Sequence, residues 1–338
     1  MSAGAASAIQ PTQISHQDKV ITGLLDTQEL GYSNYLLNKS SFSTAGRWNT
    51  LSNNLADDLS VGCTLQSLES VVDRVIISAD HSYQVVRMSL SEAKNIRDAI
   101  KKVDVNSYKS IYRDNYPMKT EFFSGVVYQV GEDLCKITDM GDGLACIFSS
   151  VLKIKRNSNS PSEYLQSFHT VFIPHKSERL EIRISNKIPA SQINSSFEKV
   201  EREFINVVGQ YLRVGTLRSV NSFKAIASLF DDKTEGRVQY AMMTTNEDGD
   251  DADLNGRARK DYCARKVEVS DQVHKHKYIC RYLRIRYGYG NNIDMETELS
   301  LTPHKRDWEN DECLYFGIKH PKSALFQSIM VDKVLSRS

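Results

Sequence analysis

Forty consecutive residues, 64–103, contain neither proline nor glycine, and apolar side chains recur through them at alternating steps of three and four. The positions are Leu65, Leu68, Val72, Val75, Ala79, Ser82, Val86, Ser89, Ala93, Ile96, Ile100 and Val103; only the two serines are not apolar. A 3-4 spacing keeps one stripe facing a partner helix, so the segment reads as one long heptad-like helix. Two uses of the stripe follow. It packs inside its own domain, as one helix or as two with a break near Ser78–Ser82, or it forms a coiled coil with a protein partner or a second copy. Flanking Val71, Ile76, Ile77, Val85, Met88 and Leu90 widen the apolar face beyond a two-stranded seam.

Around this segment the pattern divides the chain in two. Residues 12–60 read as short helices joined by polar turns, and 104–120 are polar and turn-like up to Tyr116-Pro117. The reading is an N-terminal helical region, 1–108, followed by an α+β domain, 109–338. A length of 338 residues accommodates two domains. Strand-like runs then dominate: 123–130, 144–154, 168–173 and 180–184, with a hairpin turn at Asp139-Met-Gly-Asp-Gly143. Leu180-Glu-Ile-Arg-Ile184 alternates, which predicts one buried and one wet face. A helix is expected from Pro189 through Phe197, Val200, Phe204, Val208 and Tyr211, a shorter one over 222–230, and a terminal one from Ser323 to about Leu335. Further strands are expected near 237–245, 263–269, 277–287, 293–301 and 313–318. Strands grouped together and broken by two or three helices indicate a mostly antiparallel sheet.

Composition excludes several classes. With 40% hydrophobic and 25% charged residues, the chain is neither globally disordered nor collagen-like. The six cysteines are widely spaced and form no CxxC pair, so they read as reduced thiols in a soluble, cytoplasmic protein. No segment reaches the roughly 18 apolar residues of a spanning helix, and no membrane partner is expected. The small-residue start lacks the basic and apolar regions of a secretory signal.

The formal charge of +1 hides a local polarity. Glu247, Asp248, Asp250, Asp251 and Asp253 precede a basic stretch, 256–287, in which ten cations stand against Asp261, Glu268 and Asp271. Tyrosines 262, 278, 282, 287 and 289 are interleaved with it. Side chains alternate across a strand, so Tyr278, Cys280, Tyr282, Arg284 and Arg286 are expected on one face. Rings for base stacking beside guanidiniums for phosphates suit nucleic acid. The candidate contacts are Tyr278, Tyr282, Arg284, Arg286, Arg257, Arg259 and Lys260. The competing reading is a solvated face whose arginines pair with nearby acids.

Other constellations are weaker. Asp251-Ala-Asp-Leu-Asn-Gly256 matches half of a calcium loop, but Tyr262 stands where the bidentate acid belongs. His274 and His276 share a strand face without a third zinc ligand nearby. No phosphate-binding, dinucleotide-binding, nucleophile-elbow or zinc-protease motif occurs, and no cofactor is expected. A metal-dependent hydrolase or nuclease would draw on Glu181, with Arg183 as a poor stand-in for lysine and His169 and His175 near it. The sequence therefore points first to a non-enzymatic binding or assembly protein with a polyanion-binding α+β domain. The hydrolase is one alternative, and a structural oligomer without nucleic-acid binding is the other.

Overall fold

The two serines in the apolar stripe mark where the chain leaves the helix. A computed structural model describes residues 14–108, 110–119, 128–155, 161–244, 251–255, 262–266, 278–289, 292–321 and 323–338. Three helices, α1 (His16–Asp26), α2 (Leu30–Lys39) and α3 (Trp48–Val61), lead into the stripe. The stripe then divides into helix α4 (Leu65–Ser78), strand β1 (His81–Arg87) and helix α5 (Leu90–Ile100). Thr64 caps α4 through the Ser67 amide, and Ser89 forms a capping box with Glu92 at the start of α5. Such caps satisfy amides that the helix itself leaves unpaired. Between them, His-Ser-Tyr-Gln-Val-Val is aromatic and β-branched, which favours a pleated surface.

The single helix over 64–103 is thus corrected, and with it the coiled-coil contact. Leu68, Val72 and Val75 on α4, and Ala93, Ile96 and Ile100 on α5, are buried inside the fold. They belong to two different apolar clusters on opposite faces of one sheet. The stripe is packed inside the fold, on both sides of a break between Ser78 and Leu90.

After a short helix α6 (Ile111–Asn115), the remaining strands are β2 (Gly131–Asp139), β3 (Gly143–Ile154), β4 (Glu163–Pro174), β5 (Arg179–Ser185), β6 (Arg237–Thr244), β7 (Asp251–Asn255), β8 (Ile279–Tyr289), β9 (Asn292–Leu301) and β10 (Phe316–Lys319). Helices α7 (Ile193–Gly209), α8 (Phe223–Asp231), α9 (Lys305–Trp308) and α10 (Ala324–Leu335) complete the described elements. The protein is an α+β fold around a ten-stranded antiparallel sheet in the order β2-β3-β4-β5-β1-β10-β9-β8-β6-β7. Strand β1, drawn from the N-terminal region, pairs with β5 over seven residues and with β10 on its other side.

Helices cover the sheet unevenly. On one face α1–α4 pack on β2–β4, and α8 and α10 pack on β1, β6 and β8–β10. On the other face α5 and α7 cover β2–β5. Along β6, β8 and β9 that second face contributes none of the described residues to the three apolar cores.

Three local expectations change. All seven residues of β5 are buried, so its supposed wet face is covered. Residues 264–266 form a 3-10 turn where a strand was expected. Asp251–Asn255, the acidic half of the calcium-loop match, is an edge strand paired with β6. The expected strand over 123–130 falls almost wholly outside the described residues, and β3 takes β2 as its hairpin partner.

Gly236 sets the close approach of β6 to β8. A Cβ there would collide with the Arg286 carbonyl oxygen and lie 2.9 Å from Tyr287 Cδ1. Gly236→Ala is expected to lower stability by about 1–3 kcal/mol. Urea unfolding checks this, and an unchanged midpoint would refute it.

Candidate nucleic-acid interface and an arginine-lined cleft

Register places the basic strand β8 against its neighbours. On the face turned away from α8 and α10, Tyr240, Arg284 and Ser300 lie side by side across β6, β8 and β9, and Met242 stands opposite Tyr282. The Tyr240 and Tyr282 rings meet edge to face with centroids 5.3 Å apart. Arg284 donates to Tyr282 Oη at 2.8 Å, and its guanidinium lies 5.6 Å from that ring's centroid. Among the described residues, no carboxylate pairs with Arg284. The face therefore presents two phenol rings, one cation and the Asp253 carboxylate, which accepts from Tyr240 Oη at 2.7 Å.

Other members of the basic stretch are engaged. Arg286 lies 3.4 Å from Glu298 and 3.5 Å from Glu296, and Arg237 pairs with Glu296 at 2.7 Å. Arg281 pairs with Asp311 at 2.7 Å and stacks on Phe223. Arg265 donates to the Leu229, Phe230, Glu235 and Gly236 carbonyls, so it closes the C-terminal end of α8. A cation there satisfies carbonyls that have no helical partner.

Tyr278 does not share the face of Tyr282. The β6–β8 ladder slips between Met242 and Met243, where Arg281 is the extra residue on β8. One inserted residue reverses the alternation beyond it. Cys280 and Tyr278 consequently turn toward the core beneath α8 and α10. Arg257, Arg259, Lys260, His274 and His276 lie outside the described residues.

The opposite face holds a cleft of about 510 Å³, where the helical layers of α4 and α10 fail to meet above β5. Its floor is the strand whose alternation suggested a wet face. Glu181 Oε1 accepts from Arg179 Nε at 2.6 Å, and Oε2 accepts from Arg183 Nε at 2.9 Å and its terminal nitrogen at 2.6 Å. Arg183 also donates to the Ile77 carbonyl on α4 at 2.8 Å. It lies 4.1 Å from the Phe172 ring centroid. Arg179 donates to Ser328 Oγ at 2.8 Å and pairs with Asp332, both on α10. Burial alone would raise the Glu181 carboxyl, but Arg183 and Arg179 outweigh it and hold it below the ordinary carboxylate range.

Of the two histidines expected near this carboxylate, His175 lines the same cleft and His169 does not. His169 is fully buried, accepts from the Ser185 amide through Nδ1, and lies on the strand parity that faces α7. His175 pairs with Asp139 at 2.9 Å. Among the described residues, no group of three His, Cys, Asp or Glu side chains is placed to hold a metal ion. None of the described helices is long and apolar enough to cross a membrane.

Sequence reasoning missed Tyr240, whose strand was recognised but not its register, and it missed the cleft. The signal for the cleft was present as charges at 179, 181 and 183, a spacing that puts all three on one strand face. No protein-family profile matches the chain, and no curated protein sequence matches it.

Proposed function

We propose that this chain is a non-enzymatic binding protein that holds single-stranded nucleic acid on the face of β6, β8 and β9 turned away from α8 and α10. The observation that carries the reading is the juxtaposition of the Tyr240 and Tyr282 rings with Arg284, a cation without a carboxylate partner among the described residues. Bases stack on rings whatever their sequence, and guanidiniums meet the phosphates between them. Arg257, Arg259 and Lys260 belong to the connection between β7 and β8 and extend the same charge in sequence. Arg286, held by Glu296 and Glu298, contributes less. The six free cysteines support a reducing compartment, and the proposal places the protein in the cytoplasm.

Fluorescence anisotropy with a labelled single-stranded oligonucleotide, titrated against salt, tests this reading. Tyr282→Ala with Arg284→Ala is expected to weaken binding about 10–100-fold and to reduce the salt slope by about one unit. Arg286→Ala is expected to cost less. Affinity unchanged in the Tyr282/Arg284 double variant would refute the interface.

A further inference from the structure

We propose that the cleft between α4 and α10 is a second, independent site, built for a small phosphate-bearing molecule. Its lining carries Arg74, Lys176, Arg179 and Arg183 against Asp142 and Glu181. Two buried guanidiniums share the single buried carboxylate of Glu181, and their second counter-charge, Asp332, is an exposed one. A buried cation balanced only from the exposed rim can exchange that partner for an anion in the cleft.

The remaining counter-charges are placed so that a ligand can replace them. Arg179 is 4% exposed while its partner Asp332 is 60% exposed; Arg74 is 14% exposed while Asp142 is 42% exposed. The guanidiniums are held in place, whereas the carboxylates sit at the rim and can turn into water. Arg74 is further oriented by the Met140 carbonyl at 2.8 Å, and Arg179 by Ser328. Planar forks held in this way suit the several oxygens of a phosphate. Lys176 stands exposed at the mouth, without an ion pair among the described residues.

The cleft's volume falls within the range of small-ligand sites. Met140, Phe172 and Leu325 supply apolar lining for the organic part of the ligand, and Leu325 is largely exposed. The site thus takes an organic phosphate, with pyrophosphate as its minimal probe. It lies on the face opposite Tyr282 and Arg284, so the two sites can be inactivated separately.

Calorimetric titration of the full chain with pyrophosphate, at constant ionic strength, tests the proposal. Wild type should bind saturably. Lys176→Glu should weaken binding about tenfold, and Asp332→Asn should strengthen it roughly threefold by removing the internal competitor. Both positions are exposed, and a retained melting transition confirms that each variant folds. Tyr282→Ala with Arg284→Ala should leave pyrophosphate binding unchanged, so loss of one site does not mimic loss of the other. The assignment is overturned if neither wild type nor Asp332→Asn binds saturably up to about 10 mM, a concentration that still detects very weak association. It is equally overturned if Lys176→Glu has no effect, or if citrate binds as tightly as pyrophosphate.

Discussion

Glu181→Ala is expected to destabilise the protein by about 3–5 kcal/mol, the usual consequence of removing one partner from a buried ion pair. Both carboxylate oxygens accept from guanidiniums that are themselves buried, so alanine would leave Arg183 without its counter-charge and Arg179 with Asp332 alone. Arg183 would keep the Ile77 carbonyl, and Arg179 would keep Ser328 and Asp332. None of these neutralises the charge that Glu181 now balances at Arg183. Replacing all three with apolar residues of similar volume should recover much of the loss, because an apolar cluster needs no compensating charge. Urea unfolding of Glu181→Ala and of Arg179→Met/Glu181→Leu/Arg183→Met makes the comparison. A Glu181→Ala variant within about 1 kcal/mol of wild type would show that the triad is not a closed electrostatic unit.

Stability should also fall steeply with acid below neutrality, through two buried histidines. Burial lowers His81 from 6.5 to about 3, with Arg183, His169 and Lys187 adding repulsion against the Ala79 carbonyl bond that opposes the shift. Burial likewise lowers His169 from 6.5 to about 4. The unfolded chain binds a proton at each below pH 6.5 and the folded chain does not, so stability rises with pH across this window. The contribution is fully present above 6.5 and is lost as pH falls toward about 4 for His169 and about 3 for His81. Each histidine contributes a slope of about 1.4 kcal/mol per pH unit. Buried carboxyls act in the opposite sense: Asp73 and Glu29 are raised chiefly by burial, and their protonation relieves strain as pH falls. Unfolding free energies at pH 7, 6 and 5 should therefore show a net decline. His169→Gln should remove about 1.4 kcal/mol per unit from the slope. An identical slope in that variant would contradict the assignment.

Local pattern was enough for much of this fold. Helix α7 follows from the spacing of Phe197, Val200, Phe204 and Val208, all of which are buried. Helix α10, the β2–β3 turn and the antiparallel class were legible in the same way. Tyr282 and Arg284 were placed on a common face by strand parity alone, and parity there is not interrupted. It failed four residues earlier at Tyr278, because a bulge depends on how β6 lines up with β8 and not on the residues of β8 alone.

The forty-residue stripe shows the limit most clearly. Its spacing fits a helix throughout, and the aromatic, β-branched run at 81–86 is only a weak local signal against one. Residues 81–87 are a strand because β5 and β10 offer them backbone partners on both sides, and those partners lie about 100 and 235 residues away in sequence. The same holds for β5, where alternating charges predict a wet face, while Arg183 and Arg179 are in fact buried by bonding to Ile77 on α4 and Ser328 on α10. Local spacing located most helices and strands outside 64–103, the residues that seek burial and the stretches where charges gather. Which side chains face one another came from packing, because pairing between distant strands and helices sets both the register and the local dielectric.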